Sequence, residues 1–308
     1  MNIFVAGATC ALGTQLVPRL VEAGHTVTGM TRDKPDAVQA LGATPVVADA
    51  LDPDAVAGAV AEAEPQIIVH QLTALGGELN FRRFEQTFAQ TNRLRTEGTD
   101  HLLAAGKAVG VEKFVAQSFA AWPYARTGGP IKSEDDPLDP DPPAAVRTTV
   151  AAIKHLEQAV TSATWCEGIA LRYGGFYGPG TSMEPGGEQY EAIRKRQFPV
   201  VGAGGGMISL IHVEDAAEAT VHAIGWGRRG VYNVVDDQPE PARDWLPGVA
   251  AAIGAKPPRK VPRWLGRLVA GEAAAVMMTE VRGASNAKAK RELGWEPRYP
   301  TWREGLAA

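Results

Sequence analysis

The sequence predicts an α/β protein with a doubly wound parallel sheet and a smaller, discontinuous lobe in its C-terminal half. Three observations predict this architecture. Short apolar runs alternate with helical patterns through residues 1–172, a glycine-containing turn separates the first run from an amphipathic helix, and the alternation breaks after Arg172 into several glycine turns. Regular alternation of this kind places parallel strands side by side, with helices on both faces of the sheet.

The predicted strands of the first half are short apolar runs, and the first helix has one apolar face. The strands cover residues 3–6, 26–30, 45–48, 66–70, 113–117 and 168–172. A further helix, at about 147–162, precedes the last of them. The proline-rich acidic segment 134–143 fits neither a helix nor an inner strand, so we expect a loop at the rim of a site.

Glycine-rich turns between residues 174 and 206 mark the predicted second lobe. The chain is then expected to return to the sheet at 208–211, to form a helix at 213–224 and a strand at 230–234, and to leave again for helices up to the C-terminus. We therefore predict one domain from residues 1–172 and 208–236, and a lobe from residues 173–207 and 237–308.

Composition and charge exclude several classes of protein. A chain of 308 residues with 45% apolar residues can bury a large core, and a net charge of −4 gives no electrostatic footprint for nucleic acid. No apolar run approaches the roughly 20 residues of a membrane span, and no signal-peptide pattern precedes the first strand. Cys10 and Cys166 lack metal-ligand spacing, so we expect no metal site and a reducing, cytoplasmic location.

The turn between the first strand and the first helix is a candidate phosphate-binding loop. A tight turn at this place aims backbone N–H groups and a helix N-terminus at a pyrophosphate. Cys10 stands where the Gly-x-x-Gly-x-x-Gly pattern has its middle glycine, which we expect to weaken the affinity for the cofactor. The candidate cofactor-binding residues of the loop are Gly7, Thr9, Cys10, Ala11, Leu12 and Gly13.

The end of the second strand predicts which dinucleotide binds. Thr31 is neutral at the position where NAD-selective proteins place a carboxylate, and Arg32 can pair with a 2′-phosphate. We therefore expect NADP(H) in preference to NAD(H), with NAD(H) still able to bind. Further candidate cofactor contacts follow the third, fourth and fifth strands, at Asp49, Ala50, Leu72, Thr73 and Gln117. His70, at the end of the fourth strand, is expected to be an interior histidine.

Three later motifs carry a resemblance to a known family. They are 171–180 (LRYGGFYGPG), 211–217 (IHVEDAA) and 288–297 (KAKRELGWEP). With the phosphate loop, they resemble the extended short-chain dehydrogenases/reductases, also called the NAD-dependent epimerase/dehydratase family. The resemblance spans nearly the full chain and implies a Rossmann-type sheet with a C-terminal substrate-binding lobe.

The resemblance also implies a catalytic set that this chain lacks. Family members use Tyr-x-x-x-Lys on the helix after the fifth strand and a Ser or Thr at the end of that strand. The helix here has no tyrosine: if Lys154 is the family lysine, Val150 takes the tyrosine position, and if Glu157 sets the register, Thr149 and Ile153 replace the pair. Phe119 takes the hydroxyl position, with Ser118 one residue early and therefore a weak substitute.

Other residues near the carboxyl ends of the strands could supply the missing groups. We expect Tyr124 to be the proton donor, with Tyr173 and Tyr177 as alternatives, and Lys154 to contact the cofactor ribose if the first register holds. Ser118 completes the candidate catalytic residues. Aromatic residues would suit a flat or hydrophobic substrate, and the candidate substrate-binding residues are Phe119, Trp122, Tyr173, Phe176 and Tyr177.

These residues predict an NADP(H)-dependent oxidoreductase that acts on a small, hydrophobic or aromatic carbonyl or alcohol through a non-standard proton donor. Three alternatives stay open: a dinucleotide-binding protein without turnover, a nucleotide-sugar epimerase or dehydratase, and a non-redox isomerase or lyase. The expected partner is a small-molecule substrate, and neither nucleic acid nor a membrane is expected. A homodimer is a further possibility.

Overall fold

The computed structural model describes residues 1–75, 80–120 and 123–307. Its strands are β1 (Asn2–Ala6), β2 (Thr26–Thr31), β3 (Thr44–Val47), β4 (Ile67–His70), β5 (Lys113–Phe119), β6 (Ile131–Lys132), β7 (Glu167–Tyr173), β8 (Gly175–Tyr177), β9 (Val200–Val201), β10 (Met207–Ile208), β11 (Leu210–His212), β12 (Gly230–Val234), β13 (Glu240–Pro241), β14 (Lys260–Val261) and β15 (Gly283–Ala284).

The helices alternate with the strands of the first half and dominate the C-terminal part. They are α1 (Ala11–Glu22), α2 (Pro35–Ala40), α3 (Pro53–Ala63), α4 (Phe84–Arg93), α5 (Thr99–Val109), α6 (Arg147–Ser162), α7 (Glu188–Arg194), α8 (Val213–Trp226), α9 (Ala242–Ala252), α10 (Arg263–Ala270), α11 (Glu272–Thr279), α12 (Ala287–Leu293) and α13 (Trp302–Ala307). A π-helix, Leu94–Gly98, joins α4 to α5. Among the described residues, no helix is long and apolar enough to cross a membrane.

Seven parallel strands form the central sheet, in the order β12-β7-β5-β4-β1-β2-β3. The predicted doubly wound parallel sheet is therefore confirmed. The strand order reverses between β1 and β4, because β2 and β3 extend the sheet on one side of β1 and the later strands extend it on the other. In open α/β sheets, ligands bind outside the carboxyl ends of the strands at such a reversal.

Alternate residues of each strand belong to two different cores, one on each face of the sheet. Ile3 and Val5 pack with α1 and α8, whereas Phe4 and Ala6 pack with the face that α3, α5 and α6 cover. This period of two is what a strand buried on both faces requires. It also decides which side chains at the end of β5 can reach the site.

Local sequence signals explain where several helices begin and end. Asp52 precedes α3, and its Oδ1 accepts hydrogen bonds from the N–H groups of Asp54 and Ala55, each at 3.1 Å. Pro53 occupies the first helical position, where its missing N–H costs nothing. Gly110 ends α5 with a φ of +78°, which a residue with a side chain rarely adopts.

The return of the chain to the sheet at 208–211 was predicted incorrectly. β10 pairs antiparallel with β13, and β11 pairs parallel with β8, both outside the seven-stranded sheet. The backbone at 209–210 crosses the carboxyl end of β7 instead: Gly175 N–H donates to the Ser209 carbonyl at 2.9 Å. A Cβ on Gly174 would lie 2.7 Å from the Leu210 carbonyl carbon, so the glycine permits this close crossing.

A third set of buried side chains lies in the C-terminal half. It contains Met183, Ile193, Val200, Leu246 and Trp302, with residues from α7, α9, α11 and β11 among the others. β12 belongs to the central sheet, as predicted, and the segments on either side of it build this separate core. The division into a sheet domain and a discontinuous lobe stays a prediction.

Candidate active site

A cavity of about 870 Å³ lies at the carboxyl ends of the central strands. One wall comes from the turn after β1 and the ends of β2 to β5, and the opposite wall comes from side chains of the C-terminal core. Of the predicted site residues, the cavity is lined by Gly7, Thr9, Cys10, Ala11, Leu12, Arg32, Asp49, Ala50, Leu72, Thr73, Gln117, Phe119, Tyr173 and Phe176. The cavity volume is in the range of small-molecule and cofactor sites.

The turn between β1 and α1 is shaped to receive an anion. Gly7 has a φ of +93°, and a Cβ on Gly13 would lie 2.3 Å from the Gly7 carbonyl oxygen, so both positions require glycine. The N–H groups of Ala11 and Leu12 belong to the first turn of α1 and have no acceptor within the helix. These groups and the helix dipole fit a pyrophosphate. Gly13 therefore shapes the turn from behind and does not line the cavity.

Cys10 caps the helix. Its Sγ accepts a hydrogen bond from the Gly13 N–H at 3.2 Å, which is the contact an N-cap side chain makes. Burial raises the pKa of the thiol, so the group is protonated at neutral pH. The cysteine in place of the middle glycine has a structural role in the turn. Its expected effect on cofactor affinity stays a prediction.

Two basic side chains lie at the end of the cavity formed by β2. Arg32 and Lys34 are exposed and line the cavity, whereas Thr31 is buried and its Oγ1 accepts a hydrogen bond from the Lys34 N–H at 3.3 Å. Asp49 and Ala50 line the same end, and Asp49 Oδ1 is bonded to the Leu51 N–H at 3.0 Å. The end of the cavity next to β2 and β3 thus combines the basic side chains of Arg32 and Lys34 with the acidic ones of Asp33 and Asp49.

His70 is an interior residue. Nε2 lies 3.1 Å from Thr99 Oγ1, and Nδ1 accepts a hydrogen bond from the Leu72 N–H at 3.2 Å. Burial lowers the pKa of the imidazole to about 4, so it is neutral at physiological pH. The histidine fixes the segment after β4, where Leu72 and Thr73 line the cavity.

The orientation of α6 shows where the side chains of the two sequence registers lie. Thr149, Ile153 and Glu157 are buried, and they follow one another at intervals of four residues along one face. Lys154 lies on another face, where its Nζ donates to the Asp139 carbonyl at 2.7 Å, and it does not line the cavity. Thr149, Val150 and Ile153 do not line the cavity either, so the choice between the two registers stays open. The predicted contact of Lys154 with the cofactor ribose stays a prediction.

Ser118 is also turned away from the cavity. Its Oγ donates a hydrogen bond of 2.6 Å to Glu157 Oε1, on the face of the sheet that α6 covers. Phe119, the next residue, lines the cavity instead. Because side chains alternate along a strand, a hydroxyl one residue early points to the opposite face. The structure therefore does not place Ser118 where the predicted catalytic role requires it.

Tyr124 belongs to a buried polar network rather than to the cavity. Its hydroxyl donates to Asn233 Oδ1 at 2.6 Å and accepts from Arg172 Nη1 at 2.9 Å. Arg172 also forms a two-point ion pair with Glu157, at 2.7 and 2.6 Å. Burial raises the pKa of the Tyr124 phenol to about 12. The expected proton donor is thus placed as a structural link between Arg172 and Asn233, and it does not line the cavity.

The two alternative tyrosines do not present a free hydroxyl to the cavity. Tyr173 lines it with its ring, but its hydroxyl pairs with Thr220 Oγ1 on α8 at 2.6 Å and burial raises the pKa of the phenol. Tyr177 is fully buried outside the cavity, and its hydroxyl faces the Thr301 carbonyl. Trp122 lies outside the described residues. Of the predicted aromatic contacts, Phe119, Tyr173 and Phe176 come together at the cavity.

Sequence analysis missed the far wall of the cavity. It is largely apolar and comes from segments that are distant in sequence, which only the tertiary structure brings together: Leu75, Phe81, Phe88, Met183, Phe198, Ile208, Trp245, Met277 and Met278. The apolar wall residues gave no signal because an apolar residue looks the same in a sequence whether it lines a cavity or fills a core. Sequence analysis also missed Arg95, a buried cation in the π-helix that lines the cavity.

Comparison with known proteins shows the family to which the chain belongs. The model of the NAD-dependent epimerase/dehydratase family matches residues 3–235. The chain is 43% identical over 309 aligned residues to the 3-diazoavenalumate denitrifying reductase of a Streptomyces species, covering 99% of both chains. It is 26% identical to the 2-alkyl-3-oxoalkanoate reductase of Stenotrophomonas maltophilia, covering 83% of this chain and 76% of the relative.

A solved structure shows the same fold. The UDP-glucose 4-epimerase of Thermus thermophilus, in complex with NAD, superimposes with a TM-score of 0.74 at 24% identity and covers 99% of this chain and 96% of its own. Together with the family model and the relative that is similar along nearly the whole chain, this shows that the protein belongs to the NAD-dependent epimerase/dehydratase family of extended short-chain dehydrogenases/reductases.

Proposed function

We propose that this protein is an NAD(P)H-dependent reductase that replaces a diazo group on an aromatic substrate by hydrogen and releases N₂. The reaction type comes from the relative named a denitrifying reductase of a diazo compound, with which the chain shares 43% identity. The observation that carries the proposal lies in this chain itself. Among the described residues that line the cavity, no phenol offers a free hydroxyl for proton transfer.

Carbonyl reduction and diazo removal make different demands on the site. Hydride addition to a carbonyl builds negative charge on oxygen, and a nearby acid must neutralise it. An aromatic diazonium ion needs no such acid: its ring carbon accepts a hydride, the C–N bond breaks, and the electron pair of that bond leaves with N₂. The cationic substrate and the hydride together give a neutral arene and N₂, so charge and electrons balance. A bound nicotinamide supplies the hydride.

The residues of the cavity support a flat substrate. Phe119 ends β5, Phe176 lies in β8 shortly after β7, and Trp245 of α9 lines the opposite wall. Aromatic side chains bind planar rings through large apolar contacts and offset stacking. The same wall shields the reacting carbon from water, so the expected role of these residues is to hold and orient the ring rather than to exchange a proton.

We also propose that NADP(H) binds in preference to NAD(H), while NAD(H) remains usable. The β1–α1 turn fits a pyrophosphate, since the N–H groups of Ala11 and Leu12 lie in the first turn of α1 and have no acceptor within the helix. Arg32 and Lys34 support the preference, because both lie at the end of the cavity next to β2 and can pair with a 2′-phosphate. Asp33 and Asp49 line the same region and keep its net charge moderate.

The test compares two substrate classes under identical conditions. Purified protein is incubated with NADPH and a panel of arenediazonium ions, or with aromatic aldehydes and ketones of the same ring size. We expect NADPH oxidation with an equal amount of N₂, measured by membrane-inlet mass spectrometry, and no turnover of the carbonyl compounds. Heat-denatured protein corrects for spontaneous reduction of diazonium ions in solution.

Each competing function predicts a different outcome of this panel. Turnover of carbonyl compounds without N₂ release would support the oxidoreductase of the sequence analysis and contradict the diazo proposal. Binding of NADPH without oxidation in either arm would support a dinucleotide-binding protein. Interconversion of nucleotide sugars, assayed separately, would support an epimerase.

A further inference from the structure

Arg95 is a buried cation that lines the cavity. Its side chain is 3% exposed, and among the described residues Nη1 has no hydrogen-bond partner. Burial lowers the pKa of the guanidinium to about 10, so the group is still charged at neutral pH. The carboxylate of Glu157 attracts it, but that carboxylate is already bonded to Arg172 and Ser118. A buried charge without a partner costs free energy, and a ligand that supplies oxygen atoms would remove this cost.

The interactions of Arg95 show which side of the cavity it lies on. The guanidinium carries charge that acts on both His70, at the carboxyl end of β4, and Glu157, which is bonded to Ser118 near the end of β5. One turn earlier in the chain, Asn92 Nδ2 donates to Thr149 Oγ1 on α6 at 3.1 Å. Arg95 therefore lies between β4 and α6, on the side of the strand reversal away from β2 and β3.

The sheet separates the two halves of a dinucleotide across the strand reversal. The half next to β2 and β3 holds the adenosine, and the half next to β4 and β5 holds the second nucleotide. We propose that Arg95 binds the ribose and phosphate oxygens of the nicotinamide half of the cofactor. The inference rests on the dinucleotide binding in the proposed function but not on the identity of the substrate.

The local backbone gives Arg95 its unusual direction. It lies in the π-helix Leu94–Gly98, whose wider turn inserts a residue between α4 and α5 and changes where the following side chains point. On α6, by contrast, the Glu157 register places Ile153 where the family resemblance implies a lysine. In that register, the π-helix supplies a cation to the cavity while the α6 position of the family lysine is apolar in this chain. The planar guanidinium of arginine can donate two parallel hydrogen bonds to adjacent oxygen atoms.

The test measures binding without turnover. Arg95→Met is titrated with NADPH and with adenosine 2′,5′-bisphosphate, which lacks the second ribose, by quenching of tryptophan fluorescence. We expect the affinity for NADPH to fall about tenfold or more, as for a lost charged hydrogen bond, and the affinity for the bisphosphate to stay unchanged. The control is Arg93→Met, since Arg93 is exposed and pairs with Glu97.

A conservative variant separates this role from a purely structural one. Arg95→Lys keeps a cation at the same position, and we expect it to retain more of the NADPH affinity than Arg95→Met does. Unchanged NADPH affinity in Arg95→Met would overturn the proposal, as would an equal loss for both ligands or a loss confined to substrate KM. If Arg95→Met fails to fold, Arg95→Lys is used, with a smaller loss confined to NADPH as the expected result. Failure of the wild-type protein to bind NADPH would instead contradict the proposed function.

Discussion

Arg32 is the residue that we expect to determine the preference for NADP(H). It is exposed, it lines the cavity beside the end of β2, and Thr31 supplies no carboxylate for a ribose 2′-hydroxyl. A guanidinium at this place stabilises a 2′-phosphate through a charge-assisted hydrogen bond, which is stronger than a neutral one. NAD(H) has no 2′-phosphate with which this side chain could pair.

Arg32→Ala should therefore weaken NADPH binding and leave NADH binding unchanged. Loss of one charged hydrogen bond costs about 1.5 to 3 kcal/mol, or roughly tenfold or more in the dissociation constant. The measurement is a titration of both cofactors by calorimetry, with Lys107→Ala as the control, because Lys107 is exposed on α5 and does not line the cavity. Equal wild-type affinity for NADPH and NADH would contradict the preference.

Tyr124 illustrates how a residue expected to act in catalysis can act in stability. Its hydroxyl joins Arg172 to Asn233, so Tyr124→Phe leaves one donor and one acceptor buried without a partner. We expect the free energy of unfolding to fall by about 1 to 3 kcal/mol, while kcat and KM of the folded protein stay unchanged. Tyr190→Phe is the control, because the Tyr190 hydroxyl makes no hydrogen bond within the described residues. A large loss of kcat at unchanged stability would restore Tyr124 as the proton donor.

At the scale of elements, the β1–α1 turn determines whether the cofactor can bind. Gly13 lies so close to the preceding loop that a Cβ would meet the Gly7 carbonyl oxygen at 2.3 Å and the Ala8 backbone at 2.7 Å. Backbone atoms must move to admit a methyl group there. The N–H groups of Ala11 and Leu12 would move with them, since they belong to the same helical turn.

Gly13→Ala should consequently reduce both stability and dinucleotide binding. Overpacking of this kind costs about 1 to 3 kcal/mol, and we expect a loss of affinity for NADPH and NADH alike. Gly58→Ala is the control: Gly58 lies inside α3, its Cβ would meet no atom within 4 Å, and the change should stabilise the helix by about 0.5 to 1 kcal/mol. The measurements are chemical unfolding and cofactor titration. Unchanged stability of Gly13→Ala would contradict the account of the turn.

The elements also show what the sequence could and could not predict. The central strands and the phosphate loop were predictable because buried parallel strands have short apolar runs and a βα turn has its glycines at set positions. The direction of Lys154 was not, since the sequence does not show which face of α6 packs against the sheet, and Lys154 lies on a face that does not reach the cavity. The direction of Ser118 was not predicted either, because the alternation of side chains along β5 turns it toward Glu157.

Arg95 gave no sequence signal because it stands among charged residues of an apparently solvated helix, Arg93 to Glu97. Its burial follows from the π-helix, which the pattern of charged and apolar residues does not encode. The apolar far wall was hidden for a different reason. Leu75, Phe198 and Trp245 are far apart in sequence, and only the tertiary structure brings them to one cavity.

At the scale of the whole molecule, the cavity lies between the carboxyl edge of the sheet and the C-terminal core. The sheet edge offers an anion-binding turn and a buried arginine, and the C-terminal core offers an apolar wall. This division suits a reductase that holds a dinucleotide on one side and a planar substrate on the other. A cytoplasmic location and a homodimer stay predictions, and light scattering of the purified protein will determine its oligomeric state.

The central claim is that the site transfers a hydride to carbon without an accompanying proton. The most direct measurement is the origin of the new hydrogen in the arene formed from an arenediazonium ion, read by mass spectrometry. With NADPH deuterated at the transferred position, in ordinary water, we expect one deuterium in each product molecule. With unlabelled NADPH in D₂O, we expect none. Deuterium from the solvent at the carbon that carried nitrogen would contradict direct hydride transfer and the account of a cavity that works without a proton donor.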